Sequence, residues 1–409
     1  MKNLFFTKRI QFTVSIILLV IQLNAQDSRS QLPAVLQKSY FELNYGLIHY
    51  PFGQEQLEAG YRLESAVTMP AAAFRLTLWG YEFNKYLSGQ LTYTQPVLWV
   101  SYGEISRNGS IIETAPTSRR VTLNIGGIIL KPTLPLGSKF SLFGEAGLNF
   151  VTRIGFKDTH DNAILKSANY ATYMLGGGFR YRINNSWAIN LVANYTPESK
   201  THKQPPTTFV GAGLSYHLQK ISAEQVKKTD EKKYLRPKQW LQVGHTSNLL
   251  GYGVNNFISS KMRIFWGGWA EVENGVHITY QRNIFNGPKL FSLDWGINAS
   301  SWKTNINKEN FFTLSVFPVF RFNYWHAKNF DAYFFYSVAG PSYISKTQLE
   351  NHKMGGHFLF QDNMGTGVFF GKQRNLNTEI RIGHYSNGNM HIYNDGVKIP
   401  LSLNVGFAF

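Results

Sequence analysis

Apolar and polar side chains alternate with a period of two along much of this chain. In the last segment, IPLSLNVGFAF, every second residue from Ile399 to Phe409 is apolar, and the residues between them are small or polar. The mid-chain segment TTFVGAGLSYHL has the same pattern, with an apolar row from Val210 to Leu218. Because successive side chains of a strand point to opposite faces, each segment is predicted to be a strand with one apolar face.

The alternation predicts sixteen strands in two groups of eight. The first group covers 39–50, 70–82, 88–103, 119–131, 139–153, 168–182, 187–196 and 207–218. The second group covers 240–248, 272–283, 290–302, 311–325, 330–344, 355–370, 376–387 and 399–409. Between the groups, residues 219–239 are charged, nearly free of aromatic residues and contain Pro237, which predicts an exposed linker.

The N-terminus predicts export. Lys2, Lys8 and Arg9 form a basic region, an apolar run follows, and the small residue Ala25 stands at a plausible cleavage point. Residues 1–25 are therefore interpreted as a removable secretory signal; a retained membrane anchor is the weaker alternative, because the apolar run is short.

Composition turns this strand pattern into a membrane prediction. The chain holds 31 Phe, 22 Tyr and 9 Trp, and after Ala25 its apolar runs are only a handful of residues long. Lipid offers the backbone no hydrogen-bond partners, so a chain without an apolar helix crosses a bilayer only as a closed barrel. We predict an all-β fold of two tandem eight-stranded antiparallel transmembrane barrels, over 38–218 and 240–409. One sixteen-stranded barrel and a soluble β-sandwich are the alternatives.

Charge and residue types narrow the partners. The absence of cysteine excludes a disulfide scaffold, a cysteine–zinc site and a cysteine nucleophile. The net charge of +17 suits an anionic membrane face better than nucleic acid in an exported barrel. His160 with Asp158 and Asp161 is interpreted as a solvated loop, and the other histidines lack the spacing of metal ligands, so we expect neither a metal nor a cofactor.

The stretch IRIGHYSNGN places two chemically capable residues on an apolar row. With an even number of strands, both ends of a barrel lie on the periplasmic side, so strand 376–387 runs outward and ends near the outer leaflet. His384 and Ser386 share parity with Ile380 and Ile382, which predicts that they face lipid at headgroup level unless a bulge intervenes.

Residue types at this spacing suit ester hydrolysis. Residues i and i+2 on one strand face lie about 7 Å apart at the backbone, and their side chains can lean together. The imidazole of His384 can act as the base that activates the Ser386 hydroxyl, and Asn387 or a loop amide can donate to the oxyanion. By itself the H-x-S pattern is weak, and a headgroup-level histidine beside an incidental serine is the simpler alternative.

The wider context resembles a known family. HYSN, a short loop, NDG and a final strand resemble the outer-membrane lipid A 3-O-deacylases, which are eight-stranded barrels. The resemblance implies that His384 is the base, Ser386 the nucleophile and Asn387 an oxyanion contributor. The family's glutamate, which orients the histidine, is expected near NDG, but Lys398 stands there. Either Asp395 substitutes for it, the pair works as a dyad, or this copy is inactive.

The resulting hypothesis is an enzyme of the outer membrane of a Gram-negative bacterium. It predicts a serine esterase that removes an ester-linked acyl chain from the lipid A of lipopolysaccharide, with Lys346, Lys353 or Lys398 binding lipid phosphates. A catalytically inactive double barrel serving as anchor, adhesin or receptor is the alternative. A porin of sixteen strands is the third.

Overall fold

The computed structural model describes residues 29–112, 119–231, 236–261 and 268–409, with no side-chain description for Ser260 and Lys261. The predicted signal at 1–25 lies outside these ranges. Within them the chain is almost entirely β, and the sixteen long strands fall into two separate sets of eight. None of the helices in the described ranges is both long and apolar enough to cross a bilayer.

The first barrel closes when its first strand pairs with its last, Tyr40 opposite His217. All neighbouring strands are antiparallel. Its strands are β1 (Ser39–His49), β2 (Ala72–Asn84), β3 (Leu87–Pro96), β4 (Arg120–Pro135), β5 (Phe140–Ile154), β6 (Ala168–Arg182), β7 (Trp187–Thr196) and β8 (Thr207–His217).

The second barrel closes in the same way, with Trp240 opposite Ala408. Its strands are β9 (Gln239–Ser247), β10 (Ala270–Asn286), β11 (Phe291–Thr304), β12 (Asn310–His326), β13 (Phe330–Ile344), β14 (Phe358–Phe370), β15 (Leu376–Ser386) and β16 (Val397–Ala408). The fold prediction of two eight-stranded barrels is therefore confirmed, and the single sixteen-stranded barrel is not the structure that forms.

Short elements decorate the end of each barrel opposite the chain termini, which we call the outer end. On the first barrel they are a 3-10 turn at Gln54–Gln56 and strands at Tyr61–Leu63, Val67–Thr68, Val100–Tyr102, Ile105–Arg107, Ser110–Ile111, Phe156–Lys157 and Ala163–Leu165. On the second barrel they are helix α2 (Gly253–Lys261) and a hairpin of Gln348–Leu349 with His352–Lys353. Helix α1 (Ala223–Glu231) lies between the barrels.

Alternation along each strand separates lipid-facing from interior residues. In β16, Leu403, Val405 and Phe407 are each more than half exposed, whereas Ser402 and Asn404 between them are buried. The exposed row is what a bilayer would cover, and the buried row fills the interior.

Both interiors are packed, and both hold compensated charges. In the first barrel, Lys131 Nζ lies 2.9 Å from Glu42 Oε1, and Arg75 Nη2 lies 2.8 Å from Glu145 Oε2. In the second, Arg321 Nη2 lies 2.8 Å from Asp294 Oδ1. Towards the outer end, the second interior becomes an apolar cluster that includes Trp302, Leu349, Tyr385 and Val397.

The region between the barrels is partly helical, although the sequence predicts an exposed linker over 219–239. Helix α1 forms within it, and residues 232–235 are outside the described ranges. The strands of the two barrels end at His217 and begin again at Gln239. The exact boundaries of the domains stay a prediction.

The segment before β1 reaches across to the second barrel. Asn286 N donates to the backbone oxygen of Arg29 at 2.7 Å, and Arg29 Nη1 donates to Asn283 Oδ1 at 3.2 Å. Leu32 packs against Phe285 and Leu293. We call this the inner contact, because it lies at the end of the barrels opposite the outer end.

Candidate active site

The pairing of β15 with β14 determines which way the candidate catalytic residues point. The register runs without a break from Leu376 opposite Phe370 to Ser386 opposite Phe360. Tyr385 points inward, because its hydroxyl lies 2.9 Å from Thr313 Oγ1 in the barrel interior. His384 and Ser386, on either side of it, therefore share the outward face at the outer end of β15.

A carboxylate lies beside the histidine. Asp362 on β14 is the register partner of His384, and its Oδ2 is 3.4 Å from His384 Nδ1. Asp362 Oδ1 accepts a hydrogen bond of 2.7 Å from the backbone N–H of Ala339. Ala339 has a φ of 51° at an irregularity in β13, so the local distortion of this strand directs the Ala339 N–H towards Asp362. A serine, a histidine and an aspartate, the residue types of a serine esterase triad, thus lie on two adjacent strands of one outward face.

Asp362 is a site residue that sequence reasoning missed. It shares parity with Phe360 and Met364, so the signal was an acid within an apolar, lipid-facing row. Such an acid is costly in a bilayer and is therefore a functional indication. The pattern in one strand does not reveal that Asp362 faces His384, because that depends on the register of two strands.

Asp395, the residue predicted as a substitute orienting acid, is engaged elsewhere. Its Oδ2 accepts a hydrogen bond of 2.6 Å from Lys353 N and lies 3.8 Å from His352 Nδ1. Asp395 therefore ties its loop to the 348–353 hairpin. The carboxylate beside His384 is that of Asp362, and an orienting role for Asp395 stays a prediction.

Asn387 holds the loop between β15 and β16, residues 387–396, which we call the site loop. Its Nδ2 donates to Met354 O at 3.0 Å and to Tyr393 O at 2.7 Å. Its backbone N donates to Asn394 Oδ1 at 2.8 Å. In this arrangement its donors organise the loop, so the oxyanion role predicted for Asn387 requires the side chain to leave these carbonyls.

Lys398 stands directly across from the histidine, as its Cα is the register partner of His384 on β16. Its Nζ lies 3.2 Å from Glu271 Oε1 and over the ring of Tyr252. Burial raises the pKa of Tyr252 to about 12, so its phenol stays protonated and donates to Val272 O. Lys398, which stands where the acid is expected, is thus paired with the carboxylate of Glu271.

Helix α2 packs against the strands that carry the site. Asn255 Nδ2 donates to the backbone oxygen of Ile399 at 2.8 Å, and Gly383 O lies 3.4 Å away. This contact is made where the pairing of β15 with β16 shifts register, after Arg381. Val254 and Phe257 remain well exposed, so the helix presents apolar side chains to its surroundings.

The other predicted phosphate-binding lysines lie on the outer segments. Lys346 Nζ lies 3.0 Å from Glu309 Oε2, whereas Lys353 Nζ lies over the ring of Tyr393 in the site loop. Lys353 and Lys398 therefore both lie beside elements of the site. Their assignment to lipid phosphates stays a prediction.

In the loop around His160 in the first barrel, the carboxylate of Asp158 is hydrogen-bonded within the barrel's own outer segments. Asp158 Oδ1 accepts from the backbone amides of His160 and Asn162, and its Oδ2 accepts from Tyr61. Across the described ranges, no three His, Asp or Glu side chains group as metal ligands.

Comparisons with known proteins match the two barrels to two different families. Residues 274–407 match the family model described as lipid A 3-O-deacylase (PagL), and residues 13–217 match the one described as outer membrane protein beta-barrel domain. No curated protein matches the chain in sequence.

Several solved barrels are similar to parts of the chain. The outer membrane enzyme PagL is 15% identical over 42% of this chain and 99% of its own, with a TM-score of 0.31. The N-terminal barrel domain of Pseudomonas aeruginosa OprF is 12% identical over 44% and 97%, with a TM-score of 0.28. Ail of Yersinia pestis is 15% identical over 43% and 97%, with a TM-score of 0.27.

Proposed function

Because the chain belongs to the outer-membrane β-barrel proteins and its second barrel resembles the lipid A 3-O-deacylases, we propose that this barrel is a serine esterase acting on lipid A. The observation that carries the proposal is the alignment of Ser386, His384 and Asp362 on one outward face. That face, at the outer end, is where the acyl chains and sugars of an outer-leaflet lipid meet.

The chemistry follows from the order of the three groups. The Ser386 hydroxyl attacks the ester carbonyl while His384 takes its proton and returns it to the departing sugar oxygen. The acyl–serine ester is then hydrolysed by water, which His384 deprotonates in turn, releasing the fatty acid. With His384 Nδ1 facing Asp362, the other ring nitrogen is the one left for Ser386. Asp362 thereby takes the orienting role that the family's glutamate has.

Mass spectrometry of lipid A tests the proposal. Cells expressing the wild-type protein are expected to lose one ester-linked acyl chain from lipid A, and cells expressing Ser386→Ala are expected to keep it. Loss of the nucleophile lowers the rate by at least about a thousandfold in serine hydrolases. The matched control is Ser315→Ala in the same barrel, whose hydroxyl lies inside, 2.8 Å from Ser342 Oγ. Unchanged lipid A with the wild-type protein, or identical loss with Ser386→Ala, contradicts the proposal.

A catalytically inactive barrel is the second candidate, and Lys398 is the observation that favours it. The expected acid is absent there, and the lysine is stabilised by Glu271. Fatty-acid release by purified wild-type protein separates the two candidates, because an inactive anchor or receptor releases none.

A further inference from the structure

We propose that the outward face of the first barrel is, at its outer end, a docking surface that positions the site loop of the second barrel. The catalytic part of this inference rests on the proposed esterase function. The docking itself is a contact between two parts of one chain and is tested separately.

Polar residues interrupt the lipid-facing side of the first barrel. Along most of that side the residues are apolar and exposed, such as Leu130, Leu148 and Leu175. Near the outer end, four adjacent strands instead carry polar side chains with outward parity. These four residues, which we call the upper patch, are Tyr93 on β3, Asn124 on β4, Thr152 on β5 and Asn169 on β6.

The middle of the upper patch is covered, whereas Tyr93 is half-buried and Asn169 is exposed at its edge. Asn124 and Thr152 are each only 1% exposed, whereas Leu130 and Leu148, outward residues lower on the same two strands, are more than half exposed. Tyr93 donates its hydroxyl hydrogen to Asn124 Oδ1 at 2.8 Å, and Asn169 Nδ2 donates to Thr152 Oγ1 at 2.7 Å. Polar groups on a lipid-facing wall are costly unless they find such partners.

The site loop reaches this patch. Asn169 Nδ2 also donates to the backbone oxygen of Met390 at 2.5 Å, a contact that spans 221 residues of sequence. The Asn389 side chain lies near the hydroxyl of Tyr93. The upper patch thus bonds Met390 directly and lies next to Asn389, the residue before it.

Hydrogen bonds within the loop connect this contact to the nucleophile. Asn394 Nδ2 donates to Asn389 Oδ1 at 2.9 Å, and Asn394 Oδ1 accepts from Asn387 N. Asn387 directly follows Ser386. A shift of the loop at Asn389 is therefore passed by two hydrogen bonds to the residue beside the serine.

The inner contact is a second attachment between the two barrels, in addition to the contact at the upper patch. At the opposite end of the barrels, Leu32 packs against Phe285 and Leu293, and Arg29 bonds Asn283 and Asn286. Two attachments at opposite ends hold the outward faces side by side. Asn169 is then a positioning residue, since it acts on the reaction only through the loop.

Cysteine cross-linking tests the docking without reference to activity. The chain has no cysteine, so a double variant Asn169→Cys with Met390→Cys contains only the introduced pair. The full-length protein in outer membranes is expected to form an intramolecular disulfide upon mild oxidation. Tyr173→Cys with Met390→Cys is the matched control. Tyr173 also faces outward on β6 but lies four residues further from the outer end than Asn169. Equal cross-linking of both pairs, or none at Asn169, overturns the docking.

Enzyme kinetics test the positioning. Asn169→Ala is expected to lower kcat about tenfold with little change in KM, since a misplaced site loses rate rather than binding. Asn169→Gln, which keeps the donor, is expected to recover most of the rate. Wild-type kcat in Asn169→Ala overturns the positioning. Cross-linking in a protein that releases no fatty acid supports the docking and rejects only the proposed function.

Discussion

The two barrels have the same strand number but place their polar groups differently. The first barrel keeps its strong charges inside, where Glu42 is bound by Lys131 and Arg180 and Glu145 by Arg75. The second barrel also has interior pairs, such as Asp294 with Arg321. It differs in placing an acid and an imidazole, Asp362 and His384, on the outward face near the outer end.

This difference separates stability from function. An interior charge in a packed barrel has nearby opposite charges, and removing one partner leaves the other uncompensated. An acid on the outward face is expensive in a membrane, and Asp362, 6% exposed there, lies beside a backbone amide and an imidazole rather than an opposite permanent charge. The comparison therefore predicts that substitutions of the interior charged residues change stability, and that substitutions of Asp362 or His384 change activity.

The largest expected effect is on catalysis, from Asp362→Asn. Loss of the orienting carboxylate is expected to lower kcat by about 10²–10⁴-fold, because the imidazole loses its correct tautomer and orientation. KM and the unfolding midpoint are expected to change little. Single-turnover assays of fatty-acid release by the detergent-solubilised protein measure the effect.

Asp331→Asn is the matched control for that prediction. Asp331 is also a nearly buried acid of the second barrel, but it bonds Arg374 and belongs to the start of β13 at the inner end. Its substitution is expected to lower stability and to leave the rate per folded molecule unchanged. An equal loss of rate in both variants contradicts the orienting role of Asp362.

An intermediate effect, on stability alone, is expected from Glu42→Gln in the first barrel. Lys131 is fully buried and is left with Glu145 at 3.8 Å as its carboxylate partner. The free energy of unfolding is expected to fall by about 3 kcal/mol. Urea unfolding of the full chain in detergent micelles measures this loss.

The control for the stability prediction is Glu82→Gln. Glu82 also lies near Arg180, at 3.7 Å, but its side chain is 39% exposed. A pair at 3.7 Å whose carboxylate is exposed to solvent contributes about 1 kcal/mol at most. A similar loss in both variants contradicts the view that the interior network is what stabilises the first barrel.

The smallest effect is expected from Lys398→Glu. The substitution places an acid where the resemblance to the deacylases predicts one. It also removes the ion pair of Lys398 with Glu271 and puts two acids side by side. Since Asp362 already lies beside His384, activity is expected to change by less than about tenfold. Lys346→Glu, which breaks the comparable pair with Glu309, is the control. A hundredfold gain specific to Lys398→Glu indicates a decayed enzyme instead.

The sequence predicts strands well and their lateral relations poorly. Strands 168–182, 187–196 and 330–344 form with the predicted bounds, because lipid outside and packed side chains inside impose strict alternation. The outward parity of His384 follows from the same rule. These features depend only on the local order of residues.

Features that depend on contacts between distant segments were not predictable. Asp362 faces His384 only through the register of β14 and β15, and Asp395 is drawn to Lys353 by a hairpin that the alternation does not signal. The expected position of the acid came from family spacing along the chain. In this barrel the acid beside His384 lies on the neighbouring strand instead, which spacing along one strand cannot reveal.

The inner contact has a consequence for the order of assembly. Arg29 bonds residues 207 to 257 positions further along the chain, so the earliest described segment contacts the inner end of the barrel that is synthesised second. Closing so long a loop is slow, and this contact forms only after the second barrel has been synthesised. A bulky tag placed directly before Arg29 would therefore disturb the second barrel, although it is attached next to the first.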